Sequence, residues 1–303
     1  MSNPVFFSVV IPTYNRAQLI IHTIESVRKQ TYTNYEIIVV DNCSTDNTAE
    51  VLRPLYEKSI IRYIQNEKNF ERAYSRNIGF KNAKGDYVTL LDSDDILYPD
   101  CLHDAAEYIS KNPDTRFFHC LYELVNDNYK PVKRNGFPPV NDPFKVLMEG
   151  NFISNIAVFY KKEVVDKVQF DETPILTGVE DYDFVIRVLG ETKKLGRIDK
   201  YNAGILLHPN RSVNLEQWEK TYQRINYFID KHLKSADFLA CYGAYKHIFV
   251  SSLQLYLSGF LAVRGRTAKA FAFLFKAFKI NPYQVFKKKF WLHFFVIIKY
   301  IFR

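Results

Sequence analysis

A chain of 303 residues can form one large domain or two, and 47% hydrophobic with 24% charged residues is ordinary for a globular protein. Its net charge of +8 is unevenly spread: ten Lys or Arg and no Asp or Glu lie between positions 261 and 303, which leaves residues 1–260 at −2. A near-neutral body with a basic tail excludes a whole-surface nucleic-acid binder, so no nucleic acid is expected as a partner.

In chain order, short β-rich runs alternate with helical patterns. Residues 6–11 read as a buried strand and 16–30 as a helix with Leu19, Ile20, Ile24 and Val27 inward. Strands follow at 35–40, 60–64, 87–91 and 116–122, separated by helices at 46–58, 71–82 and 99–110. This alternation predicts an α/β fold with a Rossmann-type, mostly parallel sheet flanked by helices. Such sheets bind ligands beyond the carboxyl ends of their strands. The stretch 126–143, with four prolines and a glycine, reads as an irregular loop long enough for a lid. Helical patterning returns near 180–189, and from 215 onward the chain reads as entirely helical. A boundary near 214 therefore divides an α/β domain (1–214) from a basic, aromatic-rich helical region (215–303).

Four cysteines (Cys43, Cys101, Cys120, Cys241) form no CxxC pair, which favours reduced thiols over zinc or a disulfide framework. The run 6–11 lacks a basic flank and meets Pro12, so no signal peptide is expected. No stretch reaches the ~20 apolar residues of a membrane-spanning helix. These features point to a cytoplasmic protein.

The polar residues of interest sit at strand ends. Leu91-Asp92-Ser93-Asp94-Asp95 leaves an apolar strand with three carboxylates in four positions, a conflict that a hard cation with substrate phosphates resolves. An acidic turn before a helix is the simpler explanation of that segment alone. Asp41 ends the second strand, where a carboxylate can accept from ribose or base. Thr13 and Tyr14 follow the first strand, where a ring can stack on a base. Arg72 and Arg76 share one helix and can face a diphosphate.

Together these segments resemble the inverting family 2 glycosyltransferases with the GT-A fold. The resemblance runs from Val9 through Pro12-Thr13-Tyr14-Asn15-Arg16, Asp41-Asn42-Cys43-Ser44-Thr45-Asp46 and Ser75-Arg76-Asn77-Ile78-Gly79 to Asp92-Ser93-Asp94, covering roughly 6–212. It implies a nucleotide-sugar donor, with uridine first, bound by Pro12, Thr13, Tyr14, Arg16, Asp41, Arg72, Arg76, Asp92 and Ser93. It also implies Mn²⁺ or Mg²⁺ on Asp92, Asp94 and His208, with Arg211 a weaker phosphate ligand. In Gly178-Val179-Glu180-Asp181 it implies a catalytic base, Asp181 first and Glu180 second, although acids opening a helix also suit its dipole. Cys43 stands where the family often has Gly.

In the tail, Phe271, Leu274, Phe275 and Phe278 recur at i, i+3, i+4, i+7, with Arg266, Lys269 and Lys276 mostly opposite. The segment 286–298 joins three lysines to an apolar run. Such a tail suits peripheral contact with an anionic membrane, at the inner face of the plasma membrane, or a homodimer through the C-terminal helices. The acceptor that fits is a glycan or lipid-linked glycan. A catalytically silent glycan-binding scaffold on the same fold is the rival reading.

Overall fold

The computed structural model describes residues 4–134, 136–208 and 217–301. The chain divides into two compact units, one of residues 1–138 with 153–214 and one of 139–152 with 215–303.

The first unit opens with the expected alternation: β1 (Phe7–Thr13), α1 (Ile20–Arg28), β2 (Tyr35–Asp41), α2 (Thr48–Glu57), β3 (Arg62–Gln65), α3 (Glu71–Asn82) and β4 (Tyr87–Leu91). It continues through β5 (Ile96–Leu97), α4 (Cys101–Lys111), β6 (Phe117–Val125) and β7 (Pro131–Arg134). The chain then contributes α5 (Pro143–Glu149) to the second unit. It returns as β8 (Ile156–Lys161), α6 (Lys162–Lys167), α7 (Glu180–Thr192) and β9 (Gly196–Leu206).

The sheet order is β3-β2-β1-β4-β8-β6-β9-β5, with β7 paired to β6. Pairing is parallel from β3 through β4 and again between β6 and β9, and antiparallel elsewhere. The sheet is therefore mixed, and the expected parallel character belongs mainly to its first half. Local periodicity does not report β8, because its partners β4 and β6 lie far away in sequence. The stretch read as an irregular loop contains β7 and ends where α5 begins.

β1 lies between β2 and β4, so the strand order reverses there and a crevice opens at the carboxyl ends. Both faces of β1 are covered, since Val9, Val10 and Ile11 are all fully buried. Close approach of α3 demands Gly79, because a Cβ there would stand 2.1 Å from Val10 Cγ1. That seating places Arg72 and Arg76 beside the crevice.

The second unit joins α5 to α8 (Trp218–Leu233), α9 (Ala236–Tyr242), α10 (Lys246–Ala262), α11 (Thr267–Ile280) and α12 (Lys288–Ile301). Asp142 caps α5 by accepting from Lys145 N at 3.0 Å, and Tyr245 donates to it at 2.6 Å. Buried α10 meets α11 through Ala270, Leu274 and Ala277, whereas Phe271, Phe275 and Phe278 are 40%, 53% and 36% exposed. Small residues let the helices approach, which turns most of the aromatic stripe outward. Among the described residues, no helix is long and apolar enough to cross a membrane.

Candidate active site

Two loops at the crevice are sewn together by side-chain caps. Asn15, at φ 52°, accepts from Thr45 N at 2.8 Å and donates its own N–H to Ser44 Oγ at 2.9 Å. Arg16 N donates to Thr48 Oγ1 at 3.0 Å. Cys43 has φ 63°, a left-handed conformation that glycine adopts without strain, which accounts for the residue type the resemblance leads one to expect there.

Asp41 is fully buried and accepts from Ser44 N at 2.9 Å, Ser44 Oγ at 2.6 Å and Tyr63 Oη at 2.7 Å. Burial and that bond to Asp41 raise the Tyr63 hydroxyl pKa, which keeps it a donor. Asp41 thus organises this loop, and its neighbour Asn42 lines the cavity at the crevice. The Asn42 amide is fixed by Asn66, Asn69 and the Phe70 N–H.

That cavity measures about 260 Å³. From the end of β1 come Pro12, Thr13, Tyr14 and Arg16, from α3 Arg72, Ser75 and Arg76, and from the turn after β4 the residues Asp92 to Asp95. Tyr14 is 40% exposed, as a stacking platform requires. Eight of the nine residues expected to bind nucleotide sugar meet here, Asp41 being the exception.

The acidic turn divides its labour. Asp95, 5% exposed, accepts from Leu206 N at 3.0 Å and so fixes the end of β9. His208 follows that end, with Nε2 3.0 Å from Asp94 Oδ2. Arg16 Nη2 lies 3.6 Å from the same oxygen. Arg211 lies outside the described residues.

Arg76, 1% exposed, reaches Asp92 Oδ1 and Glu180 Oε1, each at 3.1 Å. With its amide oxygen turned toward the guanidinium, Asn155 also accepts from Nη1 and Nη2 at 3.3 and 3.1 Å. Burial opposes the charge on Arg76, yet Asp92, Glu180 and Asp181 outweigh it and raise its pKa. Arg76 lines the cavity as the sequence leads one to expect, and it also bridges two acidic elements. Asn155 was missed, since a lone Asn before a strand carries no pattern.

At the start of α7 the two acids differ. Burial works against an ionised Glu180, but Arg76 and Arg72 overcome it and lower its pKa. Arg72 Nε is 3.7 Å away. Burial, then the neighbouring Glu180 charge, push Asp181 up to about 6. Asp181 nevertheless keeps part of its surface open. One acid is a fixed anion and the other is poised to exchange a proton.

The sequence pattern of glycosyl transferase family 2 matches residues 8–168. An uncharacterized glycosyltransferase of Haemophilus influenzae is 28% identical over 233 residues, covering 76% of this chain and 78% of that protein. Another, from Methanocaldococcus jannaschii, is 29% identical over 257 residues, covering 82% and 87%. Among solved structures, Staphylococcus aureus TarS residues 1–349 with UDP-GlcNAc gives a TM-score of 0.69 at 20% identity, over 92% of this chain and 82% of that one. The mannosyltransferase PcManGT of Pyrobaculum calidifontis with GDP-Man and Mn²⁺ gives 0.59 at 16% identity, over 99% and 88%. These likenesses show the fold to be GT-A, and the chain belongs to glycosyl transferase family 2.

Proposed function

We propose that this chain is an inverting glycosyltransferase that moves a sugar from a nucleoside diphosphate sugar to a hydroxyl of a glycan or lipid-linked glycan, at the inner face of a membrane. The observation that carries this reading is the Arg76 bridge, which joins the acidic turn on the cavity wall to the acidic pair opening α7. A donor site and a proton acceptor are thereby coupled through one buried cation.

In this reading Tyr14, Thr13, Pro12 and Asn42 wall the nucleoside, while Arg16 and Arg72 face the diphosphate. Uridine stays the first choice because TarS holds UDP-GlcNAc, and GDP is the rival because PcManGT holds GDP-Man. Asp181 takes the proton of the acceptor hydroxyl as its oxygen bonds to the anomeric carbon. The bond from that carbon to the diphosphate oxygen breaks on the opposite face, and the electron pair leaves with the nucleoside diphosphate. Asp181 suits this task better than Glu180, because a base with its pKa near the working pH transfers protons more effectively than one held low by two arginines.

Mn²⁺ or Mg²⁺ fits the donor set of Asp92, Asp94 and His208. Among the described residues no three His, Cys, Asp or Glu side chains form a ready cage. A cation held by these residues would complete its coordination with substrate phosphates. When bound, it neutralises the charge gathering on the departing diphosphate.

The test is thermal stabilisation of the intact protein by a panel of UDP- and GDP-sugars with and without Mn²⁺. The matching donor at a hundred times its Kd adds about 2.7 kcal/mol. If no nucleotide sugar raises the melting temperature with Mn²⁺ present, the donor reading fails.

A further inference from the structure

We propose that the outward face of α11, the turn at Pro282–Phe286 and α12 forms a docking surface for an anionic lipid bilayer, on which the protein rests without crossing it. This gives a surface to the membrane location in the reading above, and its evidence is independent of the donor site.

The first observation is continuity of exposed apolar side chains. On α11, Phe271, Phe275 and Phe278 share a side at i, i+4 and i+7. In the following turn Phe286 is 81% exposed. On α12, Trp291, Leu292 and Phe295 are 43%, 60% and 62% exposed. Ring contacts join the helices: Phe271 lies 6.0 Å from Phe294, which lies 5.6 Å from Trp291. The Trp291 indole donates to Val285 O at 2.7 Å, which ties the turn to α12. An exposed patch built from two helices and a turn marks an interaction surface rather than scattered surface apolars.

The second observation is charge, and it selects the occupant. Lys288 and Lys299 flank the α12 apolar residues on the same side at helical spacing, and exposed Lys279 on α11 holds its Nζ 4.8 Å from the centre of the Phe275 ring. No acidic residue occurs between 261 and 303. Lysines lay their methylenes along apolar surface and present the ammonium at its edge, a geometry suited to lipid phosphates. A second copy of this face would bring Lys279, Lys288 and Lys299 against the same lysines, with no acid in either segment, and like charges repel. An anionic lipid surface supplies both the apolar depth and the counter-charge.

Co-sedimentation of the full chain with vesicles tests this without donor, acceptor or metal. Vesicles of phosphatidylcholine with phosphatidylglycerol should carry the protein down at least tenfold more strongly than phosphatidylcholine alone, less so at high salt. Lys279→Gln with Lys288→Gln should weaken binding about 25-fold, at about fivefold per cation. Phe275→Ser with Phe286→Ser and Leu292→Ser should weaken it more than tenfold while circular dichroism and donor-induced stabilisation stay unchanged. Equal binding to both vesicle types overturns the proposal. So does a monomer in light scattering that binds neither, and so does a stable dimer that binds neither, which assigns the face to a second copy. Because no sugar donor enters the assay, these failures are separate from failure of glycosyl transfer.

Discussion

The sheet unit and the helical unit use the same residue types in opposite ways. In the sheet unit, Arg76 is buried with two carboxylates within 3.1 Å, and Arg16 and Arg72 approach Asp94 and Glu180. Aromatics there stack inside, as Phe117 does on Tyr160 at 5.2 Å. In the helical tail many cations and aromatics face outward and the segment 261–303 holds no acid, although Lys287 reaches Glu149 of α5 at 2.8 Å. A buried charge requires its partners in the same chain, so its geometry becomes fixed and fit for chemistry. An outward charge takes its partner from elsewhere, so it is fit for adhesion. Each half of that comparison can be broken separately.

The largest expected effect is on the acid whose proton is poised. Asp181→Asn should lower kcat by about 10²–10⁴-fold with KM little changed, since proton removal by the side chain is what disappears. The parent's kcat should rise with pH through about 6, the value to which burial and Glu180 push Asp181, and level off above it. The stability sign runs the other way. Folded Asp181 keeps its proton up to about 6 against an ordinary 3.8, so its contribution is full below the ordinary value and lost as pH rises through about 6. Asn carries no such penalty, so the variant should melt higher than the parent at pH 8 while remaining inactive. An active Asp181→Asn protein would return the base role to Glu180; an inactive parent would favour the silent scaffold.

Next comes the bridge. Arg76→Ala leaves Glu180 as a buried anion without its nearest cation, and urea unfolding should report a loss of about 3–5 kcal/mol. Arg76→Lys should recover little, because one ammonium cannot present the forked donors that reach both acids. A loss below about 1 kcal/mol would show that Arg72 alone can hold Glu180, and the coupling between cavity and acidic pair would fall with it.

How much of this was legible in the sequence follows from the range of the forces involved. The ends of β1 and β4 and the arginines of α3 were readable, because local periodicity places them and the strand-order reversal gathers them at one cavity. The acidic pair opening α7 was found through resemblance alone. The bond that Asp41 accepts from Tyr63 was not legible, because Tyr63 stands on a different strand, 22 positions away. Asn155 and the antiparallel β8 depend on partners far away in sequence, which no local pattern reports. In α11 the aromatic spacing was real, but burial followed Ala270, Leu274 and Ala277, since the two alanines admit close helix contact and Leu274 fills it.

That last point yields the smallest effect and the sharpest contrast. Leu274 is 2% exposed against α10, so Leu274→Ala should cost about 2–5 kcal/mol by leaving a cavity. Phe275, its larger neighbour at 53% exposure, should cost no more than about 0.5 kcal/mol as Phe275→Ser in thermal unfolding. Hydrophobicity alone ranks the two the other way, so the pair separates packing from surface use. If Phe275→Ser destabilised as much as Leu274→Ala, the aromatic side of α11 would be core, and the difference between the two units would reduce to charge.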